Sequence, residues 1–269
     1  MSSSRTRYLG VIGWPVAHSL SPQMQEAGFR ALGLDLRYGA FPVEPTRLVD
    51  AFAGAEALGF VGLNVTVPHK ESVVRLCRPD DEARRIGAVN TVVFGDGVPR
   101  GYNTDVHGFR ALLVEAGIDA RGARAIVLGA GGASRAVVWA LVGEGAEVTV
   151  VSRSDRKVLF EDGPLVEHVP WDDELLARLL ATADLLVDAT PRGFDAGHSL
   201  DLSPLGPRAS VVDVAAIAQT PLVTAALARG LRATTGVPML LHQGVRAFEA
   251  FTGQPAPVEI MRAALLAAL

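Results

Sequence analysis

Residues 125–136, AIVLGAGGASRA, decide the fold of this 269-residue chain. The apolar start predicts a buried strand, the glycines a tight turn, and the residues from about Ala133 a helix. Gly129 and Gly131 would let a pyrophosphate approach the backbone, and the helix would direct free N–H groups and its positive dipole end at the phosphates. A glycine turn alone could be merely structural, but its place between strand and helix favours a dinucleotide site. The candidate contacts are Gly129, Ala130, Gly131, Gly132 and Ala133.

Strand-like and helix-like runs alternate on both sides of this stretch, which predicts an α/β protein with largely parallel sheets. Strands are expected at residues 8–13, 37–43, 62–67, 125–128, 147–151, 185–189 and 211–214, and a β-hairpin at 90–94 and 98–102. Helices are expected at 21–32, 46–58, 106–116 and from about 239, with Ser21 as the N-cap of the first. We predict two domains, residues 1–104 and 105–236, and the last helices, 237–269, could pack on either.

The composition excludes several classes of protein. The net charge of −4 gives no reason to expect nucleic acid or an anionic membrane as a partner. A single cysteine, Cys77, cannot form an intramolecular disulfide and fits a reducing compartment. No apolar run approaches the roughly 20 residues that a membrane span needs, and the N-terminus lacks a signal-peptide core. We therefore expect a soluble cytoplasmic protein.

The end of the second strand of the nucleotide-binding unit indicates which cofactor is bound. Many NAD enzymes place a carboxylate there to hold the ribose 2′-hydroxyl. This chain instead reads Ser152-Arg153-Ser154, and a guanidinium between two hydroxyls suits a 2′-phosphate. Asp155 argues the other way, although it also fits the first turn of a helix. The pattern favours NADP, with NAD as the alternative.

Lys70 is the candidate acid and base. It follows Asn64-Val-Thr66-Val-Pro-His at the end of a predicted strand, and it is one of only two lysines in a chain with 23 arginines. Reduction of a carbonyl by hydride needs a proton donor, and a lysine can exchange a proton where an arginine cannot. The alternative is an ordinary surface lysine at the start of a helix.

Two other polar segments complete the candidate site. Asp105, which closes Asn103-Thr104-Asp105, could keep Lys70 charged or share its proton, or could simply cap the helix that follows. Ser19 and Ser21 lie two residues apart before a helix, an arrangement that could hold a carboxylate. No metal site is predicted.

Six stretches of the chain form a recognisable set: GWPVAHSLSP (13–22), NVTVPHK (64–70), GAVNT (87–91), NTD (103–105), GAGGASRA (129–136) and GVPMLLHQ (236–243). Together they resemble shikimate dehydrogenases, in that family's order and at its spacing. The resemblance implies an N-terminal α/β substrate domain, residues 1–104 completed by 237–269, and a Rossmann-type NADP-binding domain, residues 105–236, with a cleft between them. It implies reversible reduction of 3-dehydroshikimate to shikimate by NADPH, in a monomer or homodimer.

The resemblance also implies roles for individual residues. Lys70 and Asp105 match the catalytic pair, and Ser19 and Ser21 match the carboxylate ligands. The residues that match those lining the substrate hydroxyls are Asn64, Thr66, Asn90 and Gln243. Those that match the cofactor site, besides the glycine turn, are Ser152, Arg153, Ser154, Thr190, Gly236 and Met239.

Two positions depart from the family pattern. Asp188 stands where the family has asparagine, and Ala216 stands where it has a tyrosine that reaches the substrate carboxylate. No tyrosine follows Tyr102. This leaves open a relative that acts on quinate or an amino analogue of shikimate, and, as a different class, a paralogue that senses a metabolite or nucleotide without turnover.

Overall fold

The structure is a computed structural model that describes residues 6–153, 158, 160, 163, 166–190 and 200–269. It divides into two compact units, Met1–Thr104 with Leu241–Leu269, and Asp105–Leu240. Each unit contains a six-stranded sheet. The predicted α/β class is confirmed.

Strands and helices alternate along much of the chain. The strands are β1 Arg7–Gly13, β2 Leu36–Pro42, β3 Gly62–Val65, β4 Arg78–Pro79, β5 Thr91–Val93, β6 Arg100–Tyr102, β7 Arg124–Leu128, β8 Glu147–Ser152, β9 Glu167–Pro170, β10 Leu185–Asp188, β11 Ser210–Asp213 and β12 Arg232–Thr235. The α-helices are α1 Ser21–Ala31, α2 Leu48–Ala57, α3 Asp81–Ile86, α4 Asp105–Glu115, α5 Gly132–Gly143, α6 Asp173–Leu180, α7 Pro221–Ala228, α8 Val237–Thr252 and α9 Val258–Ala267. Two 3₁₀ turns occupy Pro45–Arg47 and Ser72–Arg75.

The sheet of the first unit has the order β2-β1-β3-β5-β6-β4. β1 is parallel to both β2 and β3, whereas β5 is antiparallel to β3 and β6. The predicted hairpin is therefore confirmed. β4 is parallel to β6, so three of the five strand pairs are parallel and two are antiparallel, and the sheet is mixed but largely parallel, as expected. Because β1 lies between its two successors, the strand order reverses beside it, and the carboxyl ends of β1 and β3 flank the reversal. Such reversals are where α/β proteins bind ligands.

The sheet of the second unit is entirely parallel, in the order β12-β11-β10-β7-β8-β9. This is the Rossmann order, which reverses between β7 and β10. Apart from Arg124 at the start of β7 and Asp188 at the end of β10, these two central strands are apolar and buried, as expected for parallel strands covered on both faces. The glycine turn follows β7, so it lies at the reversal.

Helix α1 corrects one local prediction. Its N-cap is Leu20, without a side-chain hydrogen bond, and Ser21 is its first residue. The Ser21 hydroxyl bonds instead to the phenol of Tyr38. A hydroxyl that serves a tertiary contact is not available to the helix N-terminus, so the N-cap prediction for Ser21 is wrong. Asp105 is likewise the first residue of α4 rather than the residue before it.

None of the helices within the described ranges combines the length and apolar character that a membrane crossing requires.

Candidate active site

The loops after β1 and β3 meet in the first unit because glycine allows it. A Cβ on Gly13 would lie 2.4 Å from the Thr66 methyl carbon, so only glycine lets the two loops approach this closely. The Thr66 N–H donates to Ile12 O at 2.9 Å, and the Trp14 N–H donates to Val67 O at 2.9 Å. The segment that carries Ser19 is thereby joined to the segment that carries Thr66.

A buried network of amides and hydroxyls lies on the neighbouring strands. The Asn90 Nδ2 donates to Thr104 Oγ1 at 3.0 Å and to Gln243 Oε1 at 3.4 Å, and Asn90 Oδ1 accepts the Thr104 N–H at 2.8 Å. The Asn64 Nδ2 donates to Thr91 Oγ1 at 3.0 Å. Three residues predicted from the sequence, Asn64, Asn90 and Gln243, are thus brought into one network with two threonines that the prediction missed.

Tyr38, on β2, is a further residue that the prediction missed. Its phenol donates to Asn64 Oδ1 at 2.6 Å. Asn64 Nδ2 faces the backbone carbonyl oxygen of Asn90. Because a carbonyl can only accept a hydrogen bond, the orientation of the Asn64 amide is fixed. Asn64 therefore has acceptor capacity left for a ligand but no donor. Since the single Tyr38 proton is engaged, Ser21 is the donor in its bond with Tyr38, whose pKa burial raises above the usual range.

The two serines lie together at the start of α1. The Ser21 N–H donates to Ser19 Oγ at 3.3 Å. Ser21 is buried and Ser19 is half-buried. The Ser21 hydroxyl can rotate and donate its hydrogen bond to a stronger acceptor than the Tyr38 oxygen. A carboxylate is such an acceptor.

Lys70 is held by its surroundings on both sides. Only 9% of its surface is exposed, and its carbonyl accepts the Val89 N–H at 2.8 Å. The buried His69 ring places Nε2 2.7 Å from Val43 O, which fixes Nε2 as the protonated nitrogen because a carbonyl can only accept. Asp105 is buried and is the first residue of the second unit.

The glycine turn of the second unit has the geometry of a phosphate cradle. Gly129 has φ +102°, and a Cβ there would lie 3.1 Å from Ala189 O. A Cβ on Gly131 would meet nothing within 4 Å, so the backbone is open to a ligand at that point. The N-cap of α5 is Gly131, which offers no side chain to its N–H groups. These N–H groups can therefore serve an anion.

The other predicted cofactor residues that the structure describes lie at or shortly after the carboxyl ends of β8, β10 and β12. Ser152 ends β8 and is buried, and Arg153 follows it and is exposed. The Thr190 N–H donates to Asp188 Oδ1 at 2.9 Å. A Cβ on Gly236 would lie 2.0 Å from Val214 O, so that position requires glycine. Met239 is buried in α8, and Ser154 lies outside the described residues.

The segment that lacks the family tyrosine follows β11. Asp213, the last residue of that strand, is buried and accepts the Ala215 N–H at 3.0 Å. Burial, and secondarily the charge of Asp188, raise the pKa of the Asp213 carboxyl. Ala216 is half-buried and offers no hydrogen-bonding group. In the described part of the chain no group of three or more histidine, cysteine, aspartate or glutamate side chains is arranged to hold a metal.

Comparisons with known proteins agree with the motifs. The model of the shikimate dehydrogenase substrate binding domain matches residues 11–92, and that of the shikimate 5′-dehydrogenase C-terminal domain matches residues 236–266. The NADP(+) shikimate dehydrogenase of Methanosarcina acetivorans is 43% identical, over 98% of this chain and 99% of that protein.

Solved structures agree as well. Shikimate dehydrogenase from Aquifex aeolicus has a TM-score of 0.88 at 37% identity, over 98% of this chain and 99% of the other. The Thermus thermophilus enzyme, solved with NADP(H) and shikimate, has a TM-score of 0.85 at 36% identity, over 98% and 100%. A quinate dehydrogenase from Corynebacterium glutamicum, solved with NAD, has a TM-score of 0.83 at 32% identity, over 97% and 99%. The chain therefore belongs to the shikimate dehydrogenase family.

Proposed function

We propose that this protein is an NADP-dependent shikimate dehydrogenase, which reversibly reduces 3-dehydroshikimate to shikimate. The observation that carries the proposal is the buried network of Asn64, Asn90 and Gln243, which lies beside a buried lysine at a reversal of strand order. Such a network suits a small ring that bears several hydroxyls, because each hydroxyl can both donate and accept. The reaction would belong to the biosynthesis of aromatic amino acids.

We assign the substrate to the first unit and the cofactor to the second. The assignment is supported by the positions of the two strand-order reversals, one in each sheet. The reduced nicotinamide supplies the hydride. The backbone N–H groups of Gly131, Gly132 and Ala133 would hold the pyrophosphate, and Ser152, Arg153 and Ser154 the 2′-phosphate. Thr190, Gly236 and Met239 would line the remainder.

Lys70 is the group that we propose donates the proton to the new alcohol oxygen and takes it back in the reverse direction. An ammonium on a side chain that is almost wholly buried has few positions open to it, so it can deliver a proton to a fixed atom. Asp105 is the proposed carboxylate of the pair, on the family match. Its role would be to pair with the lysine ammonium and align it.

The substrate carboxylate is assigned to Ser19 and Ser21. This assignment is supported by the Ser21 hydroxyl, which donates a hydrogen bond to the phenol oxygen of Tyr38. A substrate carboxylate is a stronger acceptor and can replace that phenol oxygen. Thr66, Asn90 and Gln243 are proposed as partners of the ring hydroxyls. Asn64 would accept from a ring hydroxyl rather than donate to it, since both of its N–H groups are engaged within the protein.

An absorbance assay at the nicotinamide band tests the proposal. Shikimate and quinate are each supplied with NADP and with NAD, and shikimate with NADP should give the largest kcat/KM. A preference for quinate would move the chain to the quinate-using branch, which the missing tyrosine at Ala216 and the Corynebacterium neighbour make the second candidate. Saturable binding of NADP without turnover of either acid would indicate a sensing paralogue.

We also propose that the protein works in the cytoplasm. A chain whose single cysteine is Cys77 forms no intramolecular disulfide, which fits a reducing compartment. Burial raises the pKa of the Cys77 thiol to about 11, so the thiol is protonated at neutral pH.

A further inference from the structure

Gln25 is a polar residue of α1 with no exposed surface, and no step of the proposed reaction uses it. Its Nε2 donates to the Gly244 carbonyl of α8 at 2.9 Å, across 219 residues of sequence. The carbonyl can only accept, so the amide cannot be turned over, and its Oε1 must face elsewhere. Oε1 accepts no hydrogen bond from any residue that the structure describes.

The bond forms because α1 and α8 approach each other closely at glycines. A Cβ on Gly244 would lie 2.1 Å from the Met24 methyl carbon, and a Cβ on Gly28 would lie 2.7 Å from the Phe248 ring. The rings of Phe29 and Phe248 stack at 5.4 Å nearby. These contacts are apolar and would tolerate small rotations of α8, whereas the hydrogen bond from Gln25 fixes one peptide unit of that helix.

Gly244, whose carbonyl accepts this hydrogen bond, directly follows Gln243 in the chain. Gln243 Oε1 lies 3.4 Å from Asn90 Nδ2, at the long end of the hydrogen-bond range. A slight turn of α8 would break this contact and move the Gln243 amide within the substrate network. Hydrogen bonds weaken steeply with distance and misalignment, so a small displacement of the Gln243 amide would weaken its bond to a substrate hydroxyl.

We propose that Gln25 is a positioning residue that holds α8 in the rotation at which Gln243 meets the substrate hydroxyls. The proposal rests on the proposed function, which assigns Gln243 to the substrate. It also accounts for a buried amide whose oxygen is unsatisfied: an apolar residue of the same length would pack as well but would not fix the helix.

Gln25→Met is the test, with Gln23→Met, an exposed glutamine of the same helix, as the matched control. The Gln25 variant loses a hydrogen bond and also an unpaired buried acceptor, so its thermal midpoint should stay within about 3 °C of wild type. We expect KM for shikimate to rise about 5- to 20-fold, with kcat and KM for NADP within about 2-fold. Amide hydrogen exchange in residues 244–248 should be faster than in the control.

Each other outcome decides against the proposal. An unchanged KM for shikimate, an equal rise in both KM values, or the same rise in the control would overturn it. Failure of Gln25→Met to fold would assign Gln25 to stability alone. If the wild type turns over neither shikimate nor another ring acid, the proposed function fails. Hydrogen exchange still tests the role of Gln25 in that case, because equal exchange rates in α8 of the Gln25 variant and the control would show that Gln25 does not fix the helix.

Discussion

At the scale of single residues, Lys70 and Arg153 separate the chemistry from the choice of cofactor. Both are basic, but Lys70 is almost wholly buried in the loop after β3, whereas Arg153 is exposed after β8. The lysine can exchange a proton, and the guanidinium cannot. Their substitutions should therefore affect different kinetic constants.

Lys70→Ala and Lys70→Arg should both lower kcat by roughly 10²–10⁴, the usual contribution of a positioned acid or base. The arginine variant keeps the charge but cannot release a proton, so it distinguishes proton transfer from electrostatic stabilisation. Steady-state assays with NADP as the varied substrate should find its KM little changed. If kcat of Lys70→Arg stays within a few-fold of wild type, Lys70 is not the group that transfers the proton.

Arg153→Gln should weaken NADP much more than NAD, because only NADP carries the 2′-phosphate that a guanidinium can pair with. The measurement is KM for each cofactor at saturating shikimate. Arg178→Gln, on α6 of the same unit, controls for the change in net charge. An equal rise in KM for NADP and for NAD would indicate that Arg153 does not bind the 2′-phosphate.

At the scale of elements, the turn between β7 and α5 places a backbone constraint on the candidate cofactor site. Gly129 adopts a φ that residues with a Cβ rarely adopt, and a Cβ would crowd the Ala189 carbonyl. Gly129→Ala should therefore reduce the free energy of unfolding by about 1–3 kcal/mol, measured in urea, and weaken NADP. Gly206→Ala, where a Cβ meets nothing within 4 Å, is the control and should leave both unchanged.

The same elements indicate how far sequence patterns reach. The β7–turn–α5 unit was predictable, since an apolar run, glycines and a helical pattern follow one another. β9 and β12, which end the second sheet, were missed because Glu-His-Val-Pro and Arg-Ala-Thr-Thr have the mixed polarity of short edge strands. Tyr38 could not be found from local pattern, since its partner Asn64 is 26 residues away and only the fold brings them together.

At the scale of the whole molecule, stability should depend on the pH through Asp213. Its folded-state pKa is raised, so the folded chain binds this proton more strongly than the unfolded chain. Stability from this group is therefore complete below the unfolded pKa of about 4 and is lost as the pH rises through the higher folded value.

Asp213→Asn keeps an oxygen that can accept from the Ala215 N–H but has no carboxyl group to ionise. The variant should therefore not lose stability as the pH rises through the folded-state pKa of Asp213. The difference in unfolding free energy between variant and wild type should grow in favour of the variant from about pH 4 to pH 7. Urea titrations at several pH values measure it. A difference that stays constant or shrinks over this range would contradict the raised pKa.

The division of the chain into units also has a consequence for how the protein is made. The first unit consists of two separate segments, and the second unit is the continuous stretch between them. A ribosome delivers residue 240 before residue 241, so the second unit emerges in full while the first still lacks α9 and most of α8. Phe29 therefore cannot pack on Phe248 until the whole second unit has been synthesised. Of the two units, the one whose synthesis begins first is therefore the one whose chain is completed last.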